Sequence, residues 1–74
     1  MSNSWEIRLE IGDRPINLTQ ALKLANCVQS GGEAKSLIAA EGVRVNGEVE
    51  LRKRRQMAVG DVIDIDDGPR IILA

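Results

Sequence analysis

The sequence predicts an α+β domain in which a helix hairpin packs on a small antiparallel or mixed sheet, with extra strands at the N- and C-terminal ends. Three observations lead there. Residues 5–11 alternate apolar and charged with a period of two. Apolar residues between 18 and 38 recur at helical spacing around a Ser30-Gly31-Gly32 interruption, and residues 43–50 form two short alternating runs about Asn46-Gly47. With 74 residues, 43% hydrophobic and 28% charged, the chain suits one domain over 1–74 and is too short for two.

At the start, Trp5, Ile7, Leu9 and Ile11 alternate with Glu6, Arg8 and Glu10, which puts one apolar face on a sheet and one face in water. Trp5 is in phase with the other apolar residues and is expected in the core rather than as a stacking surface. Gly12-Asp13-Arg14-Pro15 ends the strand, because Pro15 locks its own φ and disfavours helix at Arg14. Leu18, Ala21, Leu22, Ala25 and Val28 then make a stripe about 120° wide on a first helix, with Asn17 or Thr19 as its cap. Cys27 falls opposite Leu18, outside that stripe, and is expected to be exposed, with no neighbour that would activate its thiol.

Ser30-Gly31-Gly32-Glu33 reads as a capping box, the Ser30 hydroxyl accepting from the Glu33 amide and the Glu33 carboxylate reaching back to the Ser30 N–H. It opens a second helix with a buried stripe of Ala34, Leu37 and Ile38, and Gly42 suits a left-handed C-terminal cap. Asn46-Gly47 predicts a type I′ β-hairpin. Leu51 to Val59 is basic and has no clear period. Gly60-Asp61 then turns the chain into a strand over 62–65, and Asp66-Asp67-Gly68-Pro69 turns it into a last strand over 70–74. That last strand is expected to be an open edge, a place for weak dimerisation in a protein otherwise expected to be a monomer.

Composition removes most chemistry. The chain has no His, Tyr or Phe and one Cys, which excludes histidine acid–base catalysis, a thiol–histidine pair and a zinc centre built from several N and S ligands. A chain of this size buries only about 60% of its unfolded surface, too little for a deep substrate pocket. No enzyme activity, cofactor or small-molecule substrate is therefore expected. Asp61, Asp64, Asp66 and Asp67 lack the spacing and terminal Glu of a calcium loop, so no metal site is assigned. Charges interrupt every apolar run and the first residues lack a signal-peptide pattern, so no membrane contact and a cytoplasmic location are expected.

The net charge of −1 and pI near 5.3 conceal segregation along the chain. Residues 31–59 carry six basic and four acidic groups, including Arg52-Lys53-Arg54-Arg55, whereas residues 60–74 carry one and four. Ser30, Ala34, Leu37-Ile38, Gly42-Val43-Arg44-Val45-Asn46-Gly47, Lys53-Arg54 and Gly60-Asp61-Val62-Ile63 occur in that order. This run resembles the S4-type RNA-binding domain over about residues 16–65, and the added end strands make the chain similar to the small stand-alone bacterial YbcJ-like members. The resemblance implies an S4-like (αL motif) fold that binds structured RNA, often ribosomal RNA, through the helix hairpin and the following β-hairpin. Many members of that family open the first helix with Arg-Leu-Asp and place Arg after the capping Ser; this chain has Asn17-Leu18-Thr19 and Gly31 there.

Phosphate contacts are accordingly expected from Lys35, Arg44, Arg52, Lys53, Arg54 and Arg55. If the basic run is extended, Lys53 and Arg55 point one way and Arg52 and Arg54 the other. Lys35 flanks the buried helix stripe, and Arg44 points away from Val43 and Val45; with the run they would make a patch spanning helix and hairpin. Gly31 and Gly32 leave the second helix open at its N-terminus to a phosphate, although a tight turn alone would also explain them. Asn46 is a weaker candidate, since its turn accounts for it. Without aromatic platforms, recognition should rest on backbone and shape. The alternative is a protein-interaction module whose basic strip docks an acidic partner such as a ribosome-associated factor.

Overall fold

The structure, a computed structural model, describes residues 6–74; Trp5 and its expected core position lie outside them. The elements run β1 (Glu6–Leu9), β2 (Ile16–Asn17), α1 (Leu18–Leu24), α2 (Gly31–Ala39), β3 (Val43–Val45), β4 (Glu48–Val49), β5 (Gln56–Met57), β6 (Val62–Ile65) and β7 (Arg70–Leu73). Among the described residues no helix is long and apolar enough to cross a membrane.

Local chemistry accounts for both helices. Asn17 caps α1: its side chain accepts from the Gln20 N–H, and the Gln20 side chain accepts from the Asn17 N–H, both at 2.9 Å. The Ser30 hydroxyl caps α2 by accepting from the Glu33 N–H at 3.1 Å. The expected reciprocal bond differs: the Glu33 carboxylate accepts from the Gln29 N–H at 2.6 Å, one residue before Ser30. Each helix ends with a left-handed residue, Asn26 at φ 60° and Glu41 at φ 62°. Both ends carry the paired bonds of a Schellman motif, Cys27 N–H to Leu22 O with Asn26 N–H to Lys23 O, and Gly42 N–H to Leu37 O with Glu41 N–H to Ile38 O.

Two expectations change here. Glu41, not Gly42, takes the left-handed conformation; Gly42 sits where a Cβ would crowd Leu37, 2.8 Å from its Cδ1 and 3.2 Å from its carbonyl oxygen. The first helix also stops at Leu24, so Val28 is buried by the chain reversal rather than by the helical stripe. For the same reason Cys27 is half-buried against the core instead of exposed, and burial pushes its thiol pKa up.

The main sheet has strand order β1-β7-β6-β3-β4, with β1 parallel to β7 and the other pairs antiparallel. The last strand is thus interior, not an edge: β1 covers one side and β6 the other. Residues Val43, Val45, Ile63, Ile71 and Leu73 face inward and join Leu18, Ala21, Leu22, Ala34 and Ile38 of the helices in one core. Arg44, Asp64 and Arg70, which are register neighbours, occupy the opposite face of the sheet. The predicted hairpin forms, with Asn46 at φ 53° and Gly47 at φ 88°. A second sheet, the antiparallel pair β2-β5, joins the entrance of α1 to the segment after the basic run.

Candidate nucleic-acid interface

The basic run is positioned by a buried carboxylate. The hairpin register pairs Val43 with Glu50, whose N–H donates to Val43 O at 3.0 Å, so Glu50 shares the inward phase of Val43 and is only 7% exposed. It accepts from Arg52 through the backbone N–H at 3.0 Å, Nε at 3.0 Å and Nη2 at 3.2 Å, and from Arg55 Nη1 at 2.9 Å. The Arg52 side-chain bonds, then its backbone N–H, outweigh the desolvation of burial and hold the Glu50 pKa down at about 2.

With Arg52 and Arg55 drawn to one carboxylate, the intervening residues turn. The Arg55 N–H donates to Arg52 O at 3.2 Å, so residues 52–55, which the sequence left without a clear period, form a β-turn, and the alternation of an extended run does not apply. The turn is fastened to the start of α1: Leu18 N–H donates to Arg55 O at 2.9 Å, and Thr19 Oγ1 and N–H donate to Lys53 O at 2.9 and 3.2 Å. These bonds occupy amide groups of α1 that have no partner within the helix.

Lys53 and Arg54 therefore stand as a ridge between two grooves. On one side lie Lys35, Ile38, Ala39 and Leu51, with Arg52. On the other lie Lys23, Thr19, Gln20 and Gly31. Lys23 also borders a third groove with Arg14, Pro15 and Leu24. Shared lining residues make these one continuous track from Arg14 to Lys35. Of the ten basic residues, Arg8, Arg44, Arg52, Arg55 and Arg70 form ion pairs. Arg14, Lys23, Lys35, Lys53 and Arg54 have no carboxylate partner among the described residues, and all five line the track.

The structure thus brings together Lys35, Arg52, Lys53, Arg54 and Gly31, with Gly32 exposed beside them. It does not form the expected patch that included Arg44. Strand alternation sends Arg44 to the outer sheet face, where Nη1 lies 3.3 Å from Asp66 Oδ1. Arg55 is turned inward to Glu50. The Asn46 side chain is a clasp, accepting from Val62 N–H at 3.0 Å and donating to Asp61 Oδ1 at 3.1 Å. The carboxylates of Asp61, Asp64 and Asp66 are likewise engaged within the sheet and its turns. Lys23, Arg14 and Glu50 escaped sequence reading. For Glu50 a signal existed, because a two-residue turn at Asn46-Gly47 carries the inward phase of Val43 across to position 50; for the two cations none did.

The S4 domain family profile matches residues 9–73, nearly the whole chain. The chain belongs to the S4 domain family. It is 43% identical over 58 residues to a Bacillus subtilis (strain 168) protein named "Probable ribosome maturation protein RlbA", covering 78% of this chain and 82% of the relative. It is 39% identical over 54 residues to an Escherichia coli (strain K12) protein named "Putative RNA-binding protein YbcJ", covering 72% of this chain and 77% of the relative. The α+β architecture with a helix hairpin and mixed sheet is accordingly that of an S4 domain, and the family match takes in strand β7, outside the stretch first seen to resemble it.

Proposed function

We propose that this S4 domain is a non-catalytic, cytoplasmic, monomeric binder of structured RNA, with ribosomal RNA as its target, and that the track from Arg14 to Lys35 is the binding surface. The observation that carries this reading is that the five basic side chains with no carboxylate partner among the described residues all line one track, while the arginines of the outer sheet face are paired with carboxylates. Unpaired cations at close spacing give a polyanion the most favourable approach, and they keep their charge available for phosphates. The names of the two relatives, one a ribosome maturation protein and one an RNA-binding protein, support the choice of RNA and of the ribosome. Lys53 and Arg54 would make the central contacts, flanked by Lys23 and Lys35, with Arg52 at the rim.

Phosphate contacts of this kind position the ligand and carry little sequence information, so discrimination would rest on RNA shape. The test is fluorescence anisotropy with a structured ribosomal RNA fragment across a salt series. For about four neutralised phosphates the slope of log K against log salt should be near −3. Arg54→Ala should weaken binding to different structured RNAs about equally and flatten the slope by roughly 0.7 to 0.9. A salt-independent affinity, or no binding to a mixed pool of structured RNAs at low salt, would overturn the proposal in favour of an acidic protein partner.

A further inference from the structure

The recess on the Lys35 side of the ridge is chemically unlike the rest of the track. Its floor is Ile38, Ala39 and Leu51, and its rim is Lys35, Arg52, Lys53 and Arg54. Leu51 is 59% exposed although it lies between the buried Glu50 and the docked turn, so an apolar side chain stands in water between hydrogen-bonded neighbours. A purely electrostatic phosphate track has no use for such a floor. Duplex RNA, moreover, shows a protein only phosphates, 2′-hydroxyls and base edges; its apolar base faces are hidden by stacking. A base that has left the stack differs, since it offers an apolar face with a phosphate on either side.

We infer that this recess takes one unpaired nucleobase, seated on Leu51 and Ala39, while Lys53, Arg54 and Lys35 grip the flanking phosphates. The inference rests on the RNA reading above and specifies it: the preferred targets are helices interrupted by a bulge or internal loop. Aromatic residues are not required, since aliphatic side chains also receive extruded or unstacked bases. The occupant is a nucleic acid rather than an acidic peptide because the cationic track runs on beyond the recess, through Lys23 to Arg14, with the continuity of a sugar–phosphate backbone.

Two RNA hairpins decide the matter, alike except that one carries a single bulged 2-aminopurine and the other has it paired. Anisotropy gives affinity, and 2-aminopurine emission reports stacking. The wild-type protein should bind the bulged hairpin about tenfold more tightly, as expected for covering an exposed leucine-sized apolar surface, and should raise its emission. Leu51→Ser should lose that preference and the emission change while keeping the salt slope. Leu51→Phe should keep the preference and quench the emission by stacking. Unchanged thermal melts would show that both variants fold, as the exposure of Leu51 leads one to expect. Equal affinity for the two hairpins with a normal salt slope, or an equal loss on both for Leu51→Ser, would overturn the inference and leave the RNA reading standing. Failure to bind either hairpin or the mixed RNA pool would remove both.

Discussion

At the scale of single residues, Glu50 decides where the basic run goes. A carboxylate that is 7% exposed is normally a cost, because burial disfavours its charge. Here two guanidinium groups and a backbone N–H satisfy it, and Arg52 remains largely in water, so the charge is not isolated. Hydrogen bonds to charged groups contribute about 1.5–3 kcal/mol, so Glu50→Gln should lower unfolding free energy by roughly that amount. A pH signature accompanies it. The Glu50 pKa falls from 4.5 to about 2 on folding, so between those values the unfolded chain binds more protons than the folded one. The stabilisation is then complete above pH 4.5 and is lost as pH falls towards 2. Denaturation by urea at a series of pH values should show the wild-type protein losing its advantage over Glu50→Gln across that window; a constant difference between them would contradict the assignment.

At the scale of elements, the cap of α1 and the docking of the basic turn are one structure. Asn17 serves both β2 and the helix cap, and the carbonyls of Lys53 and Arg55 accept the next free amides. Asn17→Ala should therefore cost about 1 kcal/mol of stability, the usual loss for a helix cap. Beyond a simple cap loss, amide exchange should quicken at Leu18 and Thr19, and RNA binding, if it uses Lys53 as proposed, should weaken with it. Protection unchanged at those two amides would separate the cap from the turn. This coupling also shows why sequence reading reached some elements and not others. The caps at Asn17 and Ser30 and the turn at Asn46-Gly47 are written in residues within three positions of one another, and they were legible. The turn at 52–55 depends on Glu50 and on Thr19, which is 34 positions from Lys53, and the short pair β2-β5 has the same nonlocal origin. A run of four basic residues read without those partners has no pattern that fixes its conformation. The ambiguity of Arg52 to Arg55 in the sequence is a lack of nonlocal information, as is the mistaken edge at β7, whose neighbour β1 comes from the other end of the chain.

Across the whole molecule, the sheet divides charge into two faces with different chemistry. One side of the molecule leaves five cations with no carboxylate partner among the described residues, along a track; the outer sheet face closes Arg44 on Asp66 and Arg70 on Asp64. The principal extents of 33 × 27 × 22 Å exceed the Debye length of about 8 Å at physiological salt. A ligand on the track is thus screened from the outer face, and equal changes of formal charge should have unequal effects. Lys23→Ala removes an unpaired cation between two grooves of the track and should weaken RNA binding about threefold to tenfold, with a shallower salt slope. Arg44→Ala removes one positive charge as well, yet it frees Asp66 on the far face and should change affinity less than about twofold at physiological salt. Measuring both variants with the same RNA at two salt concentrations separates a local surface from a net-charge effect. Equal losses for the two would mean that the ligand senses only total charge or that it also covers the outer sheet, and the RNA-binding surface would then have to be redrawn around the hairpin. Unequal losses, with Lys23 the larger, would establish that RNA contact follows the placement of unpaired cations, which explains how a chain of net charge −1 holds a polyanion.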